Sequence, residues 1–523
     1  MRMSEAIAIQ DSGLHGKKLA FVLGGLALGM FVSSLSETIA STALPTIVGD
    51  LGGVEIMQWV TTAYILTSTI TMPLYGKLGD IKGRKGLLMF GLGLYAVGKV
   101  VCGISINMAM LICGRCISGM GGGGLIILSQ AALADVVPPR KMGTYMGAMG
   151  ALFSVSNVLG PLLGGWFVQV TGWRWIFWFT VPLALLAIVM LAIFLPRFKG
   201  TEQHFSLDIG GTVALTLFTA SLTLVVAWGG TTYPWDSLVI VILFAVLLCS
   251  LTGFVVSEKH ARTPIFPLGL FKNRNFVLCS AVCFLINIGF MGCMNYLPTY
   301  FQIVDKMAPE IAGLMCVPMS IGVFLTSLVS GWLVAKTGKY KIFLVAMCIV
   351  SSLGFYLMST LEVVEPLWRP LIYLFILGFG LGLGTQIMVL IVQNEFPHTL
   401  VGTATAANNY FRQIGSTVGA ALVGAMFAAR LTADLANKLP HADNLTLSSL
   451  TPSVVDKLPD SVQTLIAQGY SEALIPLFLW FIPLCLVSLV LVSFVKQHPL
   501  AKSINHEGAS AKVQSGSSDH ARD

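Results

Sequence analysis

Four ionisable residues, Glu37, Lys99, Arg115 and Arg412, stand inside long apolar runs of this 523-residue chain. A charge at membrane depth is costly to hold and marks a pathway or a coupling site. Glu37 lies eight residues before Pro45, the expected outer end of its run, so it sits about 12 Å deep at ~1.5 Å per residue. Lys99 stands eight residues before Asn107 and Arg115 eight residues after it, so one carboxylate and two cations share a depth. A carboxylate on which burial and a nearby cation act in opposite senses can exchange protons near neutral pH. Glu37 is therefore the expected proton carrier, against the competing reading of a structural carboxylate permanently paired with Arg115. Lys99, close to an interface, is expected to snorkel. Arg412 lies near the middle of its run with no acid at matching depth in its half of the chain, and needs carbonyl, water or ligand partners. All eight histidines fall in loops or tails, which leaves intramembrane proton chemistry to carboxylates.

A second chemical feature is the loop GKLGDIKGRK, Gly76 to Lys85, between two apolar runs. It returns in degraded form as GWLVAKTGKYK from Gly331, where Gly76 aligns with Gly331, Leu78 with Leu333 and Gly83 with Gly338. The acid is lost, because Ala335 stands in the place of Asp80. A helix-loop-helix repeated in spacing but not in charge points to two related bundles.

The elements that position these residues follow from composition. The chain is 55% hydrophobic and 11% charged, with a mean hydropathy of +0.82, while soluble proteins carry about twice that charged fraction. The expected fold class is an all-α membrane protein. Apolar runs long enough to span a bilayer, roughly 20 residues each, fall near 18–44, 57–76, 86–106, 109–133, 142–167 and 175–196, then 209–228 and 236–256. Six more lie near 276–303, 309–334, 341–361, 368–394, 402–428 and 473–495, which makes fourteen. The expected organisation is an N-terminal segment 1–17, a six-helix bundle 18–196, a linker 197–275 with two extra helices, a second bundle 276–495 with an external loop 429–472, and a tail 496–523. Of the Lys and Arg residues, 22 fall on the side of the N-terminus and six on the other, so both termini are expected in the cytoplasm. The first helix is expected to remain uncleaved. The net charge of +7 is spread over short loops rather than gathered in a patch, so no nucleic-acid partner is expected. All ten cysteines lie within apolar runs, and neither a disulfide framework nor a metal site is expected.

Glycine-rich stretches GMGGGG (119–124) and GFGLGLG (378–384) have no preceding strand and no following Lys-Ser/Thr. They suit close helix packing rather than a phosphate loop, so no ATP engine is expected. GPLLGG, residues 160–165, combines a missing backbone donor at Pro161 with small faces at Gly160, Gly164 and Gly165, which suits a kink against which a neighbour packs.

Together these motifs resemble the major facilitator superfamily, and within it the fourteen-span drug:proton antiporter branch (QacA/EmrB type). GKLGDIKGRK is similar to the family loop between helices two and three, Arg115 with Gly119 to the fourth-helix motif, and Gly160 to Gly165 to the antiporter motif of the fifth. LSETIASTALP (35–45), WVTTAYILT (59–67), PIFPLGLF (264–271), YLPTYFQ (296–302) and GTATAANNYFRQIG (402–415) resemble signatures of that branch, with Glu37 where the branch more often has Asp. The resemblance implies two six-helix bundles plus two inserted helices, a cavity between the bundles lined by the first and fourth spans, and alternating access. It implies that Gly76, Asp80, Gly83 and Arg84 form a conformational gate. It also implies a proton-coupled monomeric antiporter exporting small amphipathic organic compounds, without a cofactor or ATP, with Arg115, Arg412, Tyr64, Asn157, Asn295 and Gln302 as polar cavity residues. An acid expected in the thirteenth span of relatives that export dications is absent, and Arg412 stands there instead. Two alternatives remain: an exporter of an anionic metabolite or lipid-like substrate, and a non-transporting sensor or scaffold on the same fold.

Overall fold

The computed structural model describes residues 16–53, 56–197, 208–230, 233–363, 366–438, 455 and 459–500. The terminal segment 1–15, most of the tail and the middle of the external loop lie outside these residues. Fourteen helices account for nearly all that is described. They are α1 Lys17–Leu51, α2 Trp59–Lys82, α3 Arg84–Gly103, α4 Met108–Val136, α5 Pro139–Val170 and α6 Trp175–Phe194. Then come α7 Ile209–Trp228, α8 Leu238–His260, α9 Arg274–Ile303 and α10 Ile311–Thr337. The last four are α11 Lys341–Met358, α12 Trp368–Glu395, α13 His398–Asp434 and α14 Val462–Ser493. In a bilayer every backbone N–H and C=O must be satisfied within the protein, which helices do internally.

Thirteen of these helices are apolar enough to span a membrane by composition. The fourteenth, α2, is diluted by hydroxyl residues, and it satisfies four of them within itself. Thr67 donates to Ala63 O at 2.7 Å, Ser68 to Ile65 O at 2.9 Å, Thr69 to Ile65 O at 2.7 Å and Thr71 to Thr67 O at 2.9 Å. A helix that keeps its polar groups bonded to its own previous turn can cross lipid or line a polar cavity.

Helix ends follow the capping chemistry of the sequence. Asn107 accepts from Met110 N at 2.8 Å to start α4, and Asp208 accepts from Gly211 N at 2.8 Å to start α7. Lys85 donates to Ala192 O and Leu195 O at the end of α6, and Lys341 donates to Ser493 O at 2.6 Å at the end of α14, where a cation meets the negative pole of a helix.

Helices α1–α6 and α9–α14 form two bundles, with α7 and α8 inserted between them in sequence. Large apolar side chains such as Phe90, Leu185, Val189 and Ile193 are exposed on the outer faces, as a lipid-facing surface requires. The glycine-rich stretches lie inside: Gly121 and Gly123 on α4 meet the backbones of Tyr95 on α3 and Ser68 on α2, while Gly378 on α12 meets Met319 on α10. No larger residue fits such approaches, which confirms close packing for both stretches.

Two boundaries differ from expectation. The first helix does not stop at Pro45 but runs through it to Leu51, because a membrane helix whose freed carbonyl finds other partners tolerates proline. Glu37 is therefore near the middle of α1 rather than eight residues from its outer end. The loop expected over 429–472 is shorter, since α13 continues through Asp434 and a helix resumes at Asp460.

Candidate functional site

Both ends of the described chain emerge on one face, here termed the terminal side, and the Gly76–Lys85 loop lies there. Gly83 has φ +86°, a conformation a side chain would strain, and it lets α2 turn directly into α3. That turn places Arg84 on the first turn of α3, four residues after Asp80. Arg84 Nη2 donates to Asp80 Oδ1 at 2.9 Å and to His398 O at 3.2 Å. Its Nη1 donates to Ala131 O at 2.8 Å and to the carboxylate of Asp135. Both Arg84 and Asp80 are almost fully buried, at 5% and 6% exposure.

Asp80 in turn crosses between bundles. Its Oδ1 accepts from Gly402 N at 2.9 Å, and its Oδ2 accepts from Thr403 N at 2.7 Å and Thr403 Oγ1 at 2.8 Å. It thus caps the N-terminal end of α13, where free backbone donors and the helix dipole favour an anion. Close approach is enforced by Gly76, where a Cβ would come within 2.7 Å of Gly402 O, and by Gly402, where one would come within 2.6 Å of Asp80 Oδ1. Sequence reading singled out Gly76, Asp80, Gly83 and Arg84; it did not find Thr403 or His398, whose part is played largely by backbone atoms.

Further interbundle hydrogen bonds run from this side to mid-depth. Asn409 Nδ2 donates to Gln130 Oε1 at 2.9 Å, Gln393 Nε2 donates to Gln130 O at 3.1 Å, and Ser154 donates to Ser320 O at 2.5 Å. The bundles are joined on the terminal side.

The mid-depth site begins where this joining ends. Glu37 is half-buried, and among the described residues it makes no ion pair and no hydrogen bond. The cations that act on it most are Arg412, then Arg115. Arg412 comes from the other bundle, on α13, and its guanidinium lies 5.6 Å from the ring of Phe153 on α5. Thr38, next to Glu37, donates to Ser156 O of α5 at 3.3 Å. Here the antiporter-motif glycines act: a Cβ on Gly160 would overlap Thr38, and one on Gly164 would come within 2.7 Å of Ile39 O. Gly165 has open space around its Cβ position, and α5 runs through Pro161 without interruption.

Arg115 is not the ion-pair partner of Glu37. It is wholly buried, and it donates to Val60 O at 2.7 Å, Ser36 O at 3.1 Å and Ser36 Oγ at 3.0 Å, with its guanidinium 4.5 Å from the Tyr64 ring. Tyr64 is equally buried, its hydroxyl donating to Ser33 O at 3.0 Å. Both form the wall behind Glu37 rather than a surface open to a solute. Lys99 corrects the snorkelling expectation: it is 0% exposed and donates to Ser36 Oγ inside the bundle, because α1, α2, α4 and α6 close over it. Asn157 is half-buried on α5, Asn295 is exposed at a break in α9, and Gln302 donates to Pro298 O on its own helix at 3.2 Å. Among the described residues, neither Asn295 nor Gln302 is in contact with Glu37.

Comparison with known proteins agrees with this architecture. Residues 26–420 match the family model of the Major Facilitator Superfamily. The chain is 35% identical over 479 residues to the uncharacterized MFS-type transporter Rv1877 of Mycobacterium tuberculosis, covering 92% of this chain and 70% of that one. It is 34% identical over 431 residues to the multidrug transporter protein MdtP of Bacillus subtilis, covering 82% of this chain and 79% of that one. Among solved structures it superposes on the human organic anion transporter MFSD10 with a TM-score of 0.63 at 15% identity, over 91% of this chain and 100% of the other, a likeness of fold. These matches point to a multi-pass membrane transporter rather than an enzyme, and the chain belongs to the major facilitator superfamily.

Proposed function

We propose that this transporter is a proton-coupled antiporter of the fourteen-span drug:proton branch. It exports small amphipathic organic compounds across the cell membrane as a monomer, with both termini in the cytoplasm. The observation that carries this reading is Glu37: a half-buried carboxylate at mid-depth, unpaired among the described residues, facing a cation of the opposite bundle. A carboxylate committed to a salt bridge could not exchange its proton within a cycle; this one can, and movement of the bundles changes its distance from Arg412. The similarity to a multidrug transporter at 34% identity supports the substrate class.

In this scheme Gly76, Asp80, Gly83 and Arg84 are the gate that closes the cytoplasmic end, and within the antiporter motif 160–165 it is Gly160 and Gly164 that hold α5 against the segment of α1 that carries Glu37. Asn157 is the polar residue best placed to meet substrate beside Glu37, with Tyr64 and Arg115 acting from behind. Asn295 and Gln302 belong to the far end of the cavity.

The test is dye accumulation in reconstituted vesicles under an imposed pH gradient. The parent accumulates dye in proportion to the gradient, and Glu37→Gln does not; equal gradient-driven accumulation by both rejects the reading. A second reading, export of an anionic substrate, is favoured by Arg115 Nη2 and Arg412 Nε, buried nitrogens without a hydrogen-bond partner. Preference for anionic over cationic dyes in the same vesicles decides for it.

A further inference from the structure

Lys99 has no role in the scheme above, yet it is placed with care. Its Nζ lies 5.1 Å from the Tyr95 ring centre, 5.3 Å from Phe177 and 5.8 Å from Tyr64. The hydrogen-bond acceptor given to it is Ser36 Oγ, and Arg115 Nη1 donates to the same oxygen. The titratable and charged groups around it are Arg115 on α4, Tyr64 on α2, and Tyr95 and Cys102 on its own helix. Helix α6 contributes Phe177, which does not titrate, and α1 contributes Ser36, whose chain neighbour Glu37 acts on Arg115. Two basic groups therefore share one hydroxyl with no carboxylate in contact among the described residues.

We propose that Lys99 is a second proton site of the transport cycle, occupied in opposition to Glu37; this rests on the reading of Glu37 as the proton carrier. Ser36 makes both states of Lys99 feasible, because a hydroxyl accepts from an ammonium and donates to a free amine. The aromatic faces hold the ammonium by cation–π attraction without supplying a counter-ion. While Glu37 is ionised, its negative charge offsets that of Arg115, the guanidinium that shares Ser36 Oγ with Lys99, and faces the field of Arg412 from the other bundle. When Glu37 takes up a proton, an O–H bond forms and that offset disappears. The ammonium then stands beside Arg115 uncompensated, and loss of an N–H proton returns the cluster to a single positive charge. One proton enters and one leaves, so the wall behind the cavity keeps its charge while the proton changes place. The adjacency of Ser36 and Glu37 on α1 ties both sites to the motion of one helix.

The proposal is tested without a substrate, by infrared pH titration of the purified protein in lipid, following the protonated-carboxyl band that Glu37→Gln removes. In Lys99→Met, the midpoint of that band moves to higher pH by about half a unit or more, because a neighbouring positive charge no longer opposes carboxyl protonation. Ser36→Ala, which keeps the amine and removes the shared oxygen, moves it in the same direction by less, and decides the matter if Lys99→Met is not monodisperse. The parental midpoint in both variants overturns the proposal and leaves the Glu37 reading intact. If Glu37→Gln removes no band, the Glu37 reading fails first and this inference with it.

Discussion

Two helix crossings join the bundles on the terminal side, α2 against α13 and α10 against α5, and the repeated loop makes them equivalent. They are held by different forces. In the first, the Asp80 carboxylate receives two backbone N–H groups and a hydroxyl of α13, and Arg84 ties it to Asp135. In the second, Ala335 replaces the acid, Lys339 in the place of Arg84 is exposed, and contact is made by Gly331 against Gly143 and Gly147. The helix there begins at Pro139, four residues before Gly143, so the N–H groups that face Gly331 are already bonded within the helix and are not free to meet an anion. The lysine that caps the last helix of each bundle is kept in both halves, Lys85 and Lys341. A charged seam can be switched by a competing charge or a lost proton, whereas a seam of glycines is a pivot. On the proposed reading, the duplication has yielded one latch and one fulcrum.

The largest effect is expected at the centre of the latch. Arg84→Ala leaves Asp80 and Asp135 buried without their cation, a loss of about 3–5 kcal/mol, read as a steep fall in thermal stability; Lys339→Ala, its counterpart, should change stability by less than about 0.5 kcal/mol. Asp80→Asn is nearly isosteric but forfeits charge-assisted hydrogen bonds worth about 1.5–3 kcal/mol. Hydrogen exchange at Gly402 and Thr403 should rise at least about tenfold, while the start of α5 stays protected. Equal loss of protection at both seams would show that they open as one and that the latch is not distinct.

Ala335→Asp asks whether the lost acid could be restored. With the N–H groups of Gly143 and its neighbours already used inside α5, it should gain no latch and cost about 1–2 kcal/mol for a half-buried, unpaired carboxylate. A rise in stability would contradict the fulcrum. The smallest effect is expected away from both seams. Burial pushes Asp305, in the loop between α9 and α10, up to about 6, so the folded state holds its proton longer than the unfolded one. Its contribution to stability is present at pH 4 and lost as pH rises through about 6, by about 1 kcal/mol after allowance for its partial exposure. Asp305→Asn should flatten that part of a stability profile between pH 4 and 7.

Much of this was legible in the residues. Apolar runs marked fourteen helices, α2 among them despite its threonines. The latch loop stood out because its spacing recurs. What pairs with Asp80 could not be read, since its partners are mostly backbone N–H groups of a helix over 300 residues away, and a backbone amide leaves no sequence signal. Lys99 was misplaced because counting along the chain gives depth but not azimuth, and azimuth decides whether a lysine reaches water or an aromatic cage. Arg412 could be seen to lack an acid in its own bundle; only the fold makes it the cation that acts most on Glu37.

The central claim is that a proton on Glu37 exchanges with substrate. It is tested most directly by loading vesicles with a transported dye, imposing an outward dye gradient at equal pH, and recording the internal pH. The account predicts proton movement opposite to the dye in the parent and none in Glu37→Gln. Dye movement with no pH change in the parent, or an unaltered pH change in Glu37→Gln, would contradict it.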